Sequence, residues 1–233
     1  NQLAQIMRQF ADSFNFAPAA FREFSIEIDP RTVSIEDIGA LKQMGFNRVS
    51  IGIQDFDKQV QRAINRLQDI EQITSIFNAC RQNEFNSINF DLIYGLPMQT
   101  LDGFKNTLDT VTQLKPDRIA LYSYAHMPTL FKAQNKIDVL TLPNSALKLS
   151  LFQMAVDFLM SHGYEYIGMD HFALPTDELF KAKESGDLHR NFMGYTTRKQ
   201  TDLIGFGVSS ISQIADTFSQ NAKDIVSWQN QIE

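Results

Sequence analysis

The sequence predicts an α/β protein of parallel strands and helices, built either as a barrel or as an open doubly wound sheet. Five short β-rich segments alternate with segments of helical periodicity along the chain. This alternation is typical of parallel strands joined by right-handed crossover helices. The five predicted strands lie within residues 21–29, 47–54, 86–95, 117–125 and 164–172.

Helix start and stop signals separate these strands. Ser34 is followed three residues later by Asp37, and Asp69 by Gln72, so each pair resembles a capping box at a helix start. Pro116 follows a third helical pattern and is expected to end it. We therefore predict one α/β domain over residues 1–233.

The two faces of each predicted strand favour the barrel. Alternate residues of a strand share a face, so Ile88, Phe90 and Leu92 lie on one side, with Asn89 and Asp91 on the other. The first two strands repeat this division between an apolar and a polar or small face. We expect the apolar faces to meet the surrounding helices, and the polar faces to line the barrel interior.

The polar faces supply the candidate site. Glu27, Gln54 and Asp91 are predicted to point inward near the C-terminal ends of neighbouring strands, where parallel barrels gather their active sites. A buried carboxylate needs a partner, so a polar ligand is one explanation for Asp91. The alternative is that these side chains satisfy loop backbone, or pair with Arg48 or Arg66.

Two arginines are candidates for binding anions. Arg66 could offer its planar guanidinium to a carboxylate, or form only a surface salt bridge. Arg190 lies in a loop at residues 188–198 that also contains aromatic residues. That composition suits a flat anionic ligand, although a plain polar loop would have the same composition.

Metal chemistry has little support in the residues. Asp170 and His171 follow an apolar segment and could act as an acid–base pair or as metal ligands. No second histidine stands at ligand spacing from them, so no metal site is predicted. Cys80, the single cysteine, lies in an apolar helical segment and is predicted to be a buried thiol.

Composition narrows the class of protein. The net charge of −6 argues against a general nucleic-acid binder. No apolar run approaches the roughly 20 residues of a membrane helix, and no signal peptide is visible. We therefore expect a soluble, cytoplasmic protein without a disulfide framework. Because residue 1 is Asn and both ends run into helical patterns, we also expect part of a longer chain.

Seven motifs closely resemble those of the oxygen-independent coproporphyrinogen III oxidases, which are radical S-adenosylmethionine (SAM) enzymes of heme biosynthesis. They occur in the family's order between about residues 24 and 220. The motifs are SIEIDP, FNRVSIGIQDFDKQVQRAINRLQD, NFDLIYGLPMQT, YSYAHMPTLFKAQNKI, GYEYIGMDHFALPTDEL, LHRNFMGYTTR and TDLIGFGVSSIS.

The resemblance implies a partial (β/α)6 TIM-like radical SAM barrel, here truncated at its N-terminal strands. It implies SAM as cofactor, together with a [4Fe–4S] cluster in the full-length parent. The implied reaction is the oxidative decarboxylation of coproporphyrinogen III to protoporphyrinogen IX, as a coproporphyrinogen dehydrogenase. The implied partners are this tetrapyrrole substrate and an electron donor, without nucleic acid or membrane, and the implied oligomeric state is a monomer.

The resemblance also assigns roles to individual positions. Glu27 matches a family position that contacts a first SAM. The positions that match the lining of a second SAM site are Gln54, Arg66, Asp91 and Ala125. Arg190 is our own candidate for binding a substrate propionate, argued from its chemistry alone.

One departure from the family is serious. The family holds its cluster with a Cys-x3-Cys-x2-Cys loop, whereas this sequence has one cysteine. The glycine-rich cofactor segment and the C-terminal domain are missing too, so we expect truncation at both ends and an inactive chain. The alternatives are a heme chaperone, against which the loop HRNFMGYTT counts, and a cluster-less tetrapyrrole-binding paralogue.

Overall fold

The computed structural model of the protein describes residues 2–198 and 201–232. The chain divides into two compact units, a large unit at Asn1–Phe180 and a small unit at Lys181–Glu233. Because compactness alone does not decide whether two units fold together, the single domain over residues 1–233 stays a prediction.

The large unit contains a six-stranded sheet. Its first four strands are parallel and lie in chain order, and two antiparallel strands follow β4 in the order β6, β5. The strands are β1 (Ser25–Ile28), β2 (Arg48–Gln54), β3 (Ser87–Tyr94), β4 (Arg118–Ser123), β5 (Glu165–Gly168) and β6 (His171–Ala173).

Helices connect the parallel strands. The helices of residues 2–185 are α1 (Gln2–Ser13), α2 (Ile35–Gln43), α3 (Lys58–Ala63), α4 (Ile70–Gln82), α5 (Leu101–Leu114), α6 (Ser145–Ser161) and α7 (Glu178–Ser185). The predicted capping box of Ser34 and Asp37 is confirmed at the start of α2. Asp69 does precede α4, but its side chain makes no capping hydrogen bond. The stop before Pro116 is confirmed, because Lys115 ends α5 in a left-handed conformation.

The core lies between the sheet and its helices. The apolar faces of β2 and β3 are buried there, as the alternation of the sequence predicts. Ile51, Ile88, Phe90 and Leu92 are fully buried in this cluster, together with residues of α4 and α5. The opposite, inner face of the sheet is therefore the face that carries the polar side chains.

The fifth predicted strand is wrong in one respect. Residues 164–172 form a hairpin rather than one strand, because the chain reverses after β5 and returns as β6. Gly168 and Met169 both have positive φ angles, which allow this tight reversal. As a result, β6 pairs antiparallel with β4.

Ion pairs occupy the N-terminal ends of the strands. The Arg118 guanidinium donates to both carboxylate oxygens of Asp177, from Nε at 2.9 and 3.0 Å, and to Glu178 at 2.8 Å. Arg48 reaches the same Glu178 at 2.6 Å and Glu23 at 3.6 Å. This end of the inner face is thus filled by paired charges.

The small unit is built from two antiparallel hairpins and a helix. Its elements are β7 (His189–Asn191), β8 (Gly194–Thr196), β9 (Ile211–Ile214), β10 (Thr217–Gln220) and α8 (Ile225–Ile232). In residues 2–198 and 201–232, no helix has both the length and the apolar character needed to cross a bilayer.

Candidate functional site

A band of polar and small residues crosses the inner face of the sheet. The backbone register places Ser50 of β2 beside Asn89 of β3, and Gly52 beside Asp91. Asp91 in turn lies beside Ala120 of β4. Because paired positions of a sheet project to the same side, these residues form one continuous surface.

Asp91 is held by neutral donors. The Ser50 hydroxyl donates to Oδ2 at 2.6 Å, and the Asn89 amide donates to Oδ1 at 2.8 Å. Burial raises the pKa of the Asp91 carboxyl, and these two hydrogen bonds oppose that rise. Arg48 and Arg66 pair with other carboxylates, so the alternative explanation by those arginines is not realised.

Glu27 extends the acidic surface. Its position in β1 lies beside Ser50, and its side chain is exposed. The negative charge of Glu27 is one of the causes that raise the pKa of Asp91. The structure therefore brings Glu27 and Asp91 together on the inner face, as the sequence predicts.

A cavity of about 430 Å³ opens beside this band. Its size falls in the range of small-molecule sites. Ile93, two residues beyond Asp91 on the same strand face, is part of its wall. The lining residues are Gln54, Ala63, Ile64, Asn65, Arg66, Ile93, Leu96, Tyr124, Ala133, Gln134, Lys136 and Ile137.

Arg66 is the main cation of this wall. Its guanidinium bonds to Asp29 Oδ2 through Nη1 and to the Gly52 carbonyl through Nη2, both at 3.0 Å. The Nε atom of Arg66 and the Oδ1 atom of Asn89 are buried without a hydrogen-bond partner in the structure. Such orphaned atoms require an explanation in a native fold, and a ligand in this region is one.

The absence of a side chain at Gly52 keeps the wall open. A Cβ atom built there would lie 2.9 Å from Arg66 Nη2 and 2.9 Å from Gln54 Nε2. Both atoms end flexible side chains, so a larger residue would displace them rather than break the sheet. Gly52 therefore lets two of the predicted site residues approach each other.

Ala125 and Arg190 are not among the residues that line this cavity. Ala125 is exposed just beyond β4, and its carbonyl accepts a hydrogen bond of 3.1 Å from Gln134 Nε2. Arg190 belongs to the small unit, where its guanidinium lies 5.9 Å from the centroid of the Tyr195 ring. It lines a separate cavity of about 500 Å³ within that unit.

Sequence analysis did not single out two polar residues of the wall. Gln134 and Lys136 belong to a 3₁₀ turn at Lys132–Lys136, in an irregular segment without periodicity. Gln134 also accepts a hydrogen bond from the Met127 amide, which folds this segment back on itself. Their place in the motif YSYAHMPTLFKAQNKI, near Ala125, is the signal that could have pointed to them.

Asp170 and His171 form the predicted pair. His171 Nδ1 lies 2.6 Å from Asp170 Oδ1, and the imidazole meets the Tyr122 ring edge-on at 6.3 Å. Burial, helped by the charges of Asp91, Asp170 and Glu27, raises the pKa of Tyr122 to about 12. The contact is thus confirmed, while an acid–base role for the pair stays a prediction.

Replacing Asp91 with asparagine should stabilise the protein at neutral pH. Burial raises the pKa of Asp91 in the folded state above its unfolded value. The Asp91 carboxyl therefore contributes to the stability of the folded state below its unfolded pKa, and this contribution is lost as the pH rises through its folded pKa. We expect a gain of roughly 2–4 °C in the unfolding temperature at pH 7, shrinking towards pH 4.

Asp109→Asn is the matched control for this prediction. Asp109 is an exposed partner of Lys105 on α5, so its loss should have little effect on unfolding at either pH. An Asp91→Asn gain that is equal at pH 7 and pH 4 would contradict the electrostatic explanation.

Comparison with known proteins shows which class of fold this chain resembles. Residues 6–111 match the family model of the Radical SAM superfamily. A solved structure of coproporphyrinogen III oxidase from Escherichia coli, itself described as a radical SAM enzyme, superposes with a TM-score of 0.96 and 48% identity. The match covers 99% of this chain and 53% of that chain. The fold is therefore a partial mixed α/β radical SAM fold, as predicted.

Two of the relatives are bacterial proteins. The oxygen-independent coproporphyrinogen III oxidase of Pseudomonas aeruginosa is 48% identical over 232 residues, and that of Escherichia coli is 47% identical. In both cases the alignment covers 100% of this chain and 50% of the relative. The chain is thus a homologue of the oxygen-independent coproporphyrinogen III oxidases and spans about half of their length.

The residues of this chain fit SAM, but they do not fit a [4Fe–4S] cluster. A cluster needs several thiolates, but Cys80 is the single cysteine, and it is buried within α4. Burial raises the pKa of its thiol to about 12. Throughout residues 2–198 and 201–232, no three His, Cys, Asp or Glu side chains are grouped to hold a metal ion. The cavity wall does fit SAM, because it contains Gln54 and Arg66, whose Nε atom has no hydrogen-bond partner in the structure.

Proposed function

We propose that this chain is the SAM-binding part of a radical SAM coproporphyrinogen dehydrogenase. In the full-length parent, the reaction would be the oxygen-independent oxidative decarboxylation of coproporphyrinogen III to protoporphyrinogen IX. The observation that carries the proposal is the cavity that Gln54 and Arg66 line beside the partly buried Asp91. The proposal is also supported by a relative, the oxidase of Pseudomonas aeruginosa, which is 48% identical to this chain over half of its own length.

The chemistry of the wall matches the chemistry of SAM. SAM carries a sulfonium, an ammonium, a carboxylate and a flat adenosine. Glu27 and Asp91, on the inner face beside the cavity, supply negative charge for the cationic groups, and Arg66 in the wall supplies a planar donor for the carboxylate. The apolar wall around Ile93 and Leu96 suits the adenine ring. When bound, SAM would supply the radical chemistry in the parent, and this chain would bind and orient it.

The remaining parts of the proposal concern the parent protein. Arg190 is proposed to bind a propionate of the tetrapyrrole substrate, in the cavity of the small unit. The cluster thiolates would come from outside these 233 residues, so the isolated chain should be inactive. An electron donor, a monomeric state and a cytoplasmic location complete the proposal.

A tetrapyrrole-binding protein without a cluster is the second candidate. The observation that favours it is the single, buried cysteine, which leaves the chain without cluster ligands of its own. Such a paralogue, or a heme chaperone, should bind heme tightly and stoichiometrically without SAM. Heme titration of the chain distinguishes these candidates from the radical enzyme.

The direct test of SAM binding is titration calorimetry on the 233-residue chain. We expect saturable binding of one SAM to the wild type and at least about tenfold weaker binding to Gly52→Ala. The added methyl group would displace Arg66 and Gln54, which its Cβ meets at 2.9 Å each. The fold should persist, because both displaced atoms end flexible side chains.

Gly39→Ala is the matched control. The same methyl group added in α2 would meet its nearest atom, Asn83 Oδ1, at 3.8 Å. SAM binding should be unchanged in this variant. Absence of SAM binding in the wild type, or equal binding by Gly52→Ala, would contradict the proposed site.

A further inference from the structure

A fully buried carboxylate follows the cavity-lining residue Gln54 and is not among the proposed SAM contacts. Asp55 is 0% exposed and follows Gln54 in the chain. Its Oδ1 accepts hydrogen bonds from the Asp57 amide at 2.8 Å and the Thr107 hydroxyl at 2.6 Å. Its Oδ2 accepts one from Gln99 Nε2 at 2.6 Å. Donors on three separate segments therefore converge on one carboxylate.

Gln99 uses its whole amide group in this arrangement. It is 3% exposed and lies in the turn after β3. Its Oε1 accepts from the Gly95 amide at 2.6 Å and the Leu96 amide at 3.1 Å. Its Nε2 donates to the Ile93 carbonyl at 2.9 Å as well as to Asp55. Gln99 thus fixes its own turn and joins it to the loop after β2.

The loop after β2 holds Gln54 in an unfavourable backbone conformation. Gln54 has a φ angle of +66°, which residues with a side chain rarely adopt. The Asp55 amide donates to the Ile53 carbonyl at 2.9 Å and closes a three-residue turn around Gln54. The register with β3 shifts between Gly52 and Gln54. Such conformations persist where the surrounding structure over-determines them, often at functional sites.

We propose that Asp55 and Gln99 are positioning residues that hold the SAM cavity in its binding form. Their hydrogen bond joins the loop after β2, which follows Gln54, to the loop after β3, which follows Ile93 and contains Leu96. It keeps the Gln54 backbone in its left-handed conformation, and thereby keeps the Gln54 side chain at the wall. This inference rests on the proposed SAM-binding function.

Two buried glutamines connect the same carboxylate residue to Arg66. Gln61 Nε2 donates to the Asp55 carbonyl at 2.9 Å, and Gln61 Oε1 accepts from the Gln68 amide at 3.2 Å. Gln68 Nε2 then donates to the Gly52 carbonyl at 3.0 Å, the same carbonyl that Arg66 contacts. This hydrogen-bond network therefore connects Asp55, the neighbour of Gln54, to the Gly52 carbonyl that holds Arg66.

The first test is amide hydrogen exchange on the ligand-free chain. In Gln99→Ala, the Asp55 and Asp57 amides should exchange about tenfold faster, although neither bonds to Gln99. The matched control is Tyr164→Phe, which removes one buried hydrogen bond to the Pro116 carbonyl, away from both loops. It should leave these two amides unchanged. Unchanged exchange in Gln99→Ala would overturn the inference.

The second test is a double-mutant cycle on SAM affinity, measured by calorimetry. Gln99→Ala alone should raise the Kd for SAM about tenfold. In a Gln54→Ala background the same change should raise it less than about threefold, because the side chain that Gln99 positions is already gone. Equal fold-changes in both backgrounds would show a merely structural role and overturn the inference.

These two tests separate this inference from the proposed function. A wild-type chain that binds no SAM would contradict the proposed function, and with it the positioning role for that ligand. Exchange at the Asp55 and Asp57 amides would then still decide whether Gln99 holds the neighbouring loop. A wild type that binds SAM, with equal fold-changes in the cycle, would retain the function and overturn only the positioning role.

Discussion

Replacing Arg118 with alanine should lower the free energy of unfolding of the large unit by about 3–5 kcal/mol. The side chain donates to both oxygens of Asp177, a carboxylate that is almost fully buried, and to Glu178. Removing one partner of a buried ion pair leaves an uncompensated charge, which costs more than the pair itself contributes. Urea unfolding followed by far-UV circular dichroism measures the change.

Lys105→Ala is the control for this prediction. Lys105 also pairs with a carboxylate, Asp109 at 3.0 Å, but both side chains are largely exposed on α5. Its removal should cost about 0.5 kcal/mol or less. If the two variants lost equal amounts of unfolding free energy, burial would not strengthen the ion pairs at the N-terminal strand ends.

Replacing Phe90 with alanine should cost about 3–5 kcal/mol of unfolding free energy. Phe90 is 0% exposed at the centre of the sheet, and its ring meets that of Phe77 edge-on at 5.5 Å. The substitution removes buried apolar surface and leaves a cavity between β3 and α4. Thermal and urea unfolding of the variant would report the loss.

Phe131→Ala supplies the comparison in the same unit. Its ring is 53% exposed, so its removal should change the unfolding free energy by less than about 1 kcal/mol. If Phe90→Ala cost no more than Phe131→Ala, the assignment of the apolar face of β3 to the core would be wrong.

The parts of the structure that follow from local periodicity could be predicted from the sequence. Alternation along β3 separated Phe90 from Asp91 and correctly assigned one to the core and the other to the inner face. The same argument places Glu27 and Gln54 on that face from residue order alone. Period two is a property of a strand itself, so it can be recognised from residue order alone.

The parts that depend on distant contacts could not be predicted. The reversal at Gly168 and Met169 interrupts an apolar run that is also consistent with one strand. The bond between Asp55 and Gln99 joins residues 44 positions apart, and each looks like an ordinary loop residue in the sequence. A partner that closes such a network is selected by the tertiary fold, which short-range patterns do not encode.

Labelling of Cys80 can report how often the core of the large unit opens. A thiol that is fully buried and whose pKa burial raises to about 12 reacts with electrophiles only when the surrounding helix and sheet separate. Because it is the single cysteine of the sequence, every modification event reads the same location. The rate of labelling under native conditions therefore measures how often this core exposes itself, without an introduced probe.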